Sequence, residues 1–171
     1  MQNITFRNLE EKDLPDRVRW FSQKDVSQYL GASVREGTTL EKQREWFKQY
    51  AKKTNIKMFV IEADGKPVGN VALTEISEAD SNAGLFIAIG ERDYQGKGIG
   101  TKAIEFILNF GFNQLNLHKI WLYVSELNVS AINLYEKCGF EKEGQLKDMW
   151  KIDGKYYDEI AMAIFNPKDR S

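Results

Sequence analysis

The chain has 171 residues, 42% hydrophobic and 29% charged, which suits one globular domain over residues 1–171 with a core large enough to fold alone. A formal net charge of −1 excludes the global basic field of a nucleic-acid binder. Cys138 is the only cysteine, which excludes an intrachain disulfide and fits a reducing cytoplasm; no apolar run reaches the ~18 residues of a membrane span, and "MQNITFRNLE" lacks a secretory leader's basic-then-apolar order.

"NITFRNL", with Ile4 and Phe6 alternating, reads as a first strand. "EEKDLPDRVRWFSQ" reads as a helix with Leu14, Val18 and Phe21 near one face. Thr38-x-x-Glu41 has the form of a capping box leading into a second helix, whose apolar stripe is Leu40, Trp46, Phe47 and Tyr50. Two β-rich runs flank Asp64-Gly65, a strong hairpin signal. "AGLFIAIG" is nearly all apolar and so predicts a central strand. A helix follows from about Gly98 to Asn113, with Ile99, Ala103, Phe106 or Ile107, and Phe110 inward. "HKIWLYVS" is a strand. "NVSAINLYEKCGF" is a short helix with Gly139 as its C-terminal stop. Two strands around Asp153-Gly154 close the chain. The order is that of a mixed α/β fold.

Gly96, Gly98 and Gly100 stand on alternate positions just where a helix must begin. Glycine is costly there, so something must approach the backbone closely. The first amides of a helix are unpaired donors at the positive end of its dipole, and glycine lets a phosphate reach them. The run therefore implies a phosphorylated ligand at residues 95–101, or else a tight turn packed on a strand. A Walker loop is excluded, since no Gly-Lys-Ser/Thr closes the pattern. The dinucleotide fingerprint also fails. The spacing is G-x-G-x-G, and no acidic residue stands between Glu105 and Glu126 to hold a ribose.

"Gln95-Gly96-Lys97-Gly98-Ile99-Gly100" after an apolar strand fits Q/R-x-x-G-x-G/A. It is followed by "Asn128-Val-Ser-Ala131-Ile-Asn-Leu134-Tyr135-Glu-Lys137-Cys-Gly139-Phe140". In this order, with strands between, the two resemble the GNAT superfamily of acetyl-CoA-dependent N-acetyltransferases. The resemblance runs from about Lys57 to Phe165. It is nearest to bacterial spermidine acetyltransferases and ribosomal-protein N-terminal acetyltransferases. It implies an α/β acyl-CoA N-acyltransferase fold: a mixed, mostly antiparallel central sheet with a splayed strand pair and flanking helices.

It also implies roles. The backbone of Ile87, Ala88 and Ile89 would pair with the pantetheine arm of acetyl-CoA, the cosubstrate, and an amide there would polarise the thioester carbonyl. Gln95, Gly96, Lys97, Gly98, Ile99 and Gly100 would hold the pyrophosphate. Asn128 would bond the cofactor edge, and Lys137 is either a solvated charge or a phosphate contact. Tyr135 would deliver a proton to the departing thiolate. A phenol near pKa ~10 suits that task.

The base is less defined. Some members carry a glutamate twelve residues before the tyrosine, where this chain has Tyr123. Glu75 is the candidate kept here, with Glu126 or a water chain as alternatives. His118, the only histidine, reads as structural, Cys138 as inert, and no cluster suggests a metal. An acceptor pocket is expected between the N-terminal helices and the last hairpin, lined by Trp20, Tyr29, Glu75 and "DMWKIDGKYYDE". Glu78 and Asp80 are further carboxylates for a polyamine. A polyamine, a protein N-terminus or an amino sugar all fit. A catalytically silent acyl-CoA-binding regulatory domain is the alternative, and homodimers are common among proteins of this resemblance.

Overall fold

The computed structural model describes residues 2–169. In chain order its elements are β1 (Ile4–Asn8), α1 (Leu14–Phe21), α2 (Lys24–Ser27), α3 (Ala32–Arg35), α4 (Leu40–Tyr50), β2 (Lys57–Ala63), β3 (Lys66–Ser77), β4 (Asn82–Ile89), α5 (Ile99–Asn109), β5 (Lys119–Ser125), α6 (Val129–Lys137), β6 (Glu141–Ile152) and β7 (Lys155–Phe165). The strands form one seven-stranded sheet in the order β1-β2-β3-β4-β5-β7-β6. Only β4 and β5 run parallel. This is the expected acyltransferase architecture, with the apolar strand β4 central.

Both predicted hairpins form. Asp64 and Gly65 have φ of 51° and 79°, and Asp153 and Gly154 have 49° and 79°. Left-handed geometry at both central residues is what a two-residue turn between right-twisted strands requires. Each turn joins directly paired residues, Ala63 with Lys66 and Ile152 with Lys155.

The main core lies between the sheet and the α5–α6 side. Ile61, Leu73, Ile104, Ile107, Ile120 and Met162 are fully buried there. Helix α5 stops at Asn109 rather than Asn113, and one π-helical turn, Phe110–Gln114, carries the chain onward. Within this turn Gly111 packs closely on the core, where a Cβ would lie 2.7 Å from Ile120 Cδ1.

The other face is covered by α1–α4, and their contacts differ from the expected apolar stripe. The buried face of α1 is Leu14, Arg17, Trp20 and Phe21, with Val18 only half-buried. Arg17 sits between α1, α4 and β3. It donates to Gln43 Oε1 at 3.0 Å and Asn70 Oδ1 at 2.8 Å, and its guanidinium lies over Phe21 and Trp46. The cap of α4 is Thr39, whose hydroxyl accepts from the Lys42 amide at 3.2 Å, while Thr38 accepts from Gln43. No helix among the described residues is long and apolar enough to cross a membrane.

Candidate active site

The site starts from a failure of pairing. Strands β4 and β5 are bonded only at their beginnings, Asn82–Gly84 against Lys119–Trp121. From Leu85 to Ile89, β4 pairs only with β3, while Leu122 to Ser125 pair only with β7. The two strands therefore splay toward their C-terminal ends, leaving one edge of β4 without a strand partner. Such an edge offers backbone donors and acceptors to an extended ligand.

The glycine turn closes the open end of this split. Gln95 Nε2 donates to the carbonyl of Ile89 at 3.0 Å, tying the turn to the last residue of β4. Gly96 (φ 71°) and Gly98 (φ 79°) are left-handed, and a Cβ on either would meet nothing within 4 Å, so their approach is open. Gly98 is the N-cap of α5, with no side-chain cap and no acidic residue in the first turn. The first amides of α5 are thus uncapped donors at the positive end of a dipole. Lys97 and Lys66 both approach the ring of Tyr94 at 5.7 Å, adding positive charge nearby. Gly100 is glycine for another reason: its Cβ would lie 2.9 Å from Leu134 Cδ2, so it lets α6 pack on α5.

That packing brings Tyr135, the next residue, to the same end of the molecule. Tyr135 is 9% exposed, its ring 5.8 Å from Phe140. Burial, with the neighbouring Cys138 thiol, pushes its hydroxyl up to about 12. Asn128 caps α6, its Oδ1 accepting from the Ala131 amide at 3.2 Å, so the side-chain NH₂ is what it has left for a ligand. Lys137 is exposed at the end of α6.

Glu75 stands apart. It is exposed, with φ of 50°, on a bulge between the pairs Thr74–Gly84 and Ser77–Asn82, near the closed end of the split. Glu126 is engaged structurally: its carboxylate accepts from the Asp158 amide at 2.8 Å. His118 pairs with Asp169, Nδ1 to Oδ2 3.0 Å, a partner the sequence did not disclose. Burial, with the Glu105 charge, pushes the Cys138 thiol up despite Lys137, as an inert cysteine requires.

Trp20 was expected in the acceptor pocket and is not there. It is fully buried and donates from Nε1 to Glu91 at 2.9 Å. A Cβ on Gly90 would lie 2.0 Å from its ring, so Gly90 is glycine to admit the indole beneath the end of β4. Burial pushes the Glu91 carboxyl up, but hydrogen bonds from Trp20 and Arg19 and the charges of Arg19 and Lys66 outweigh it and hold it below the usual range. The Tyr29 hydroxyl donates to the Leu127 carbonyl at 3.4 Å, next to Asn128 in the chain. No sequence signal marked the Trp20–Gly90–Glu91 contact, since its parts are about seventy residues apart.

A family profile, the acetyltransferase (GNAT) domain, matches residues 3–141. The spermidine N(1)-acetyltransferase of Escherichia coli K12 is 41% identical over 109 residues, 64% of this chain and 58% of that protein. The chain thus spans somewhat over half the length of that curated relative. Among solved structures, spermidine N-acetyltransferase from Vibrio cholerae in complex with CoA and spermine superposes with a TM-score of 0.89 at 31% identity, covering 98% of each chain. A dodecameric structure of spermidine N-acetyltransferase from the same organism gives 0.82 at 32% identity, over 97% of this chain and 95% of that one.

Proposed function

The chain belongs to the acetyltransferase (GNAT) family, and from that premise we propose that it moves the acetyl group of acetyl-CoA to a primary amine of a polyamine. The observation that carries this is the β4–β5 split, with an uncapped, glycine-lined helix start at its open end and a buried tyrosine beside it. In this reading the diphosphate of CoA sits on the turn Gln95–Gly100, and the pantetheine arm runs along the unpaired edge at Ile87, Ala88 and Ile89. The Asn128 amide and Lys137 contact it from α6. The similarity to the Escherichia and Vibrio spermidine enzymes supports the polyamine.

No protein nucleophile is required. Held in line, the amine nitrogen attacks the thioester carbon, the C–N bond forms, the C–S bond breaks, and one amine proton ends on sulfur. With its hydroxyl near 12, Tyr135 is a weaker acid than a thiol of ordinary pKa ~8.5. Its part is therefore to donate a hydrogen bond to the departing sulfur and to relay the amine's proton, recovering the one it gives. Glu75 is the carboxylate assigned to receive or orient the ammonium end of the acceptor.

Residues 1–171 act in this reading as one domain in a reducing cytoplasm, where the single thiol Cys138 stays free. The chain also self-associates, as the dodecameric Vibrio relative does. The test is release of free CoA thiol from acetyl-CoA across spermidine, spermine, amino sugars and N-terminal peptides. Turnover is expected with the polyamines. Binding of acetyl-CoA without turnover on any amine would mark a silent sensor instead.

A further inference from the structure

A cavity of about 500 Å³ lies between the N-terminal helices and the tip of the β6–β7 hairpin. None of its lining residues belongs to β4, β5, α6 or the glycine turn. Phe21 and Val34 give it apolar wall. Its charged residues are three cations, Lys24, Arg35 and Lys151, against one carboxylate, Asp153. Among the described residues none of these three cations is in an ion pair.

Arg35 is the decisive group. Its guanidinium lies 4.6 Å from the ring of Trp150, itself only 9% exposed and anchored by a bond from Nε1 to Glu159. Stacking on an aromatic face fixes a guanidinium's plane but satisfies none of its N–H donors. The Arg35 Nε is sealed from solvent and has no hydrogen-bond partner, alone in this among the described side chains. That Nε is closed to a ligand as well as to water, so an acceptor can be met only by the terminal N–H groups of Arg35, whose side chain lines the cavity and has no hydrogen-bond partner among the described residues. The expected acceptor pocket lies between these same elements, but this wall carries three cations, which repel a polyamine, and includes none of Trp20, Tyr29 and Glu75.

We propose that this cavity is a binding site for a small oxyanion, a phosphate or a polycarboxylate, with Arg35 as its anchor and Lys24 and Lys151 as its rim. The oxyanion accepts from the Arg35 guanidinium, and the rim lysines draw it in. The assignment stands whether or not the chain acetylates a polyamine.

The test is calorimetric titration of the full chain with inorganic phosphate and, separately, citrate, at low ionic strength. Saturating CoA is present throughout, so that the glycine turn is occupied. Saturable binding of phosphate, citrate or both is expected, and the arm that binds identifies the source of the charge. Arg35→Gln should weaken it at least about tenfold. Because Arg35 is partly enclosed, Lys24→Gln combined with Lys151→Gln serves as a variant with no core consequence, expected to weaken binding about threefold or more. Heats no larger than those of chloride at matched ionic strength would overturn the proposal. So would binding unchanged in both variants, or a cavity that takes spermine and ignores both anions.

Discussion

Tyr135 is where sequence and structure meet most closely. The motif around it is legible because its neighbours are local: Asn128, Leu134 and Gly139 share one helix and its stop. What the sequence does not carry is the environment, and the environment changes the chemistry. An ordinary phenol is already a weaker acid than a thiol, and burial, raising Tyr135 to about 12, widens that gap and favours the hydrogen-bonding and relay role proposed above. Tyr135→Phe should lower kcat by about 10²- to 10⁴-fold with acetyl-CoA affinity nearly unchanged, read from steady-state kinetics and calorimetry. Its folded-state pKa is raised above the unfolded value of about 10, so the proton it retains stabilises the fold below that pH. Between about pH 10 and 12 the unfolded chain ionises while the folded one does not, and stability falls. Urea unfolding should therefore show the parent chain losing up to about 3 kcal/mol relative to Tyr135→Phe across that window, the two running parallel below it. Trp20 is the contrasting residue. Its aromatic character suggested a pocket wall, but its place is decided by Gly90 and by Glu91, 71 residues on, and no local pattern announces that contact.

Among the elements, the two hairpins were readable because Asp-Gly chemistry fixes turn type and register together. The start of α5 was readable for a related reason, although its three glycines serve two ends: open backbone at Gly96 and Gly98, and helix packing at Gly100. The anchoring of α1 and α4 on the sheet was not readable. It rests on a buried arginine where an apolar stripe was expected. Burial pushes Arg17 down to about 10, yet below that pH it remains charged, held by neutral oxygens and two aromatic faces. Arg17→Ala orphans Asn70 Oδ1 and Gln43 Oε1, and should cost about 2–5 kcal/mol in urea unfolding. Arg17→Met refills the space but not the bonds and should recover part of that loss.

At the scale of the whole molecule, the sheet ends in an edge strand that the fold does not cover. Every residue of β6 from Glu141 to Met149 is exposed, and Leu146, Met149, Tyr123 and Tyr156 are exposed apolar side chains among these last strands. Charges and two bulges blunt the edge against open-ended pairing. The apolar surface left over is what a second copy would bury. Sedimentation should find species of two or more chains, and Leu146→Lys with Met149→Lys should shift them to smaller ones. No single-sequence pattern carries this, because a strand's period says which face is apolar and not what covers it. In the proposed reaction the uncapped start of α5 grips the diphosphate of CoA and so aims its sulfur at Tyr135. A crystal structure with bound CoA tests it most directly. Phosphate oxygens are expected within hydrogen-bond distance of the backbone amides of residues 96–100, and the sulfur beside the Tyr135 hydroxyl. Density for CoA elsewhere, with the turn empty or the sulfur remote from Tyr135, would contradict it.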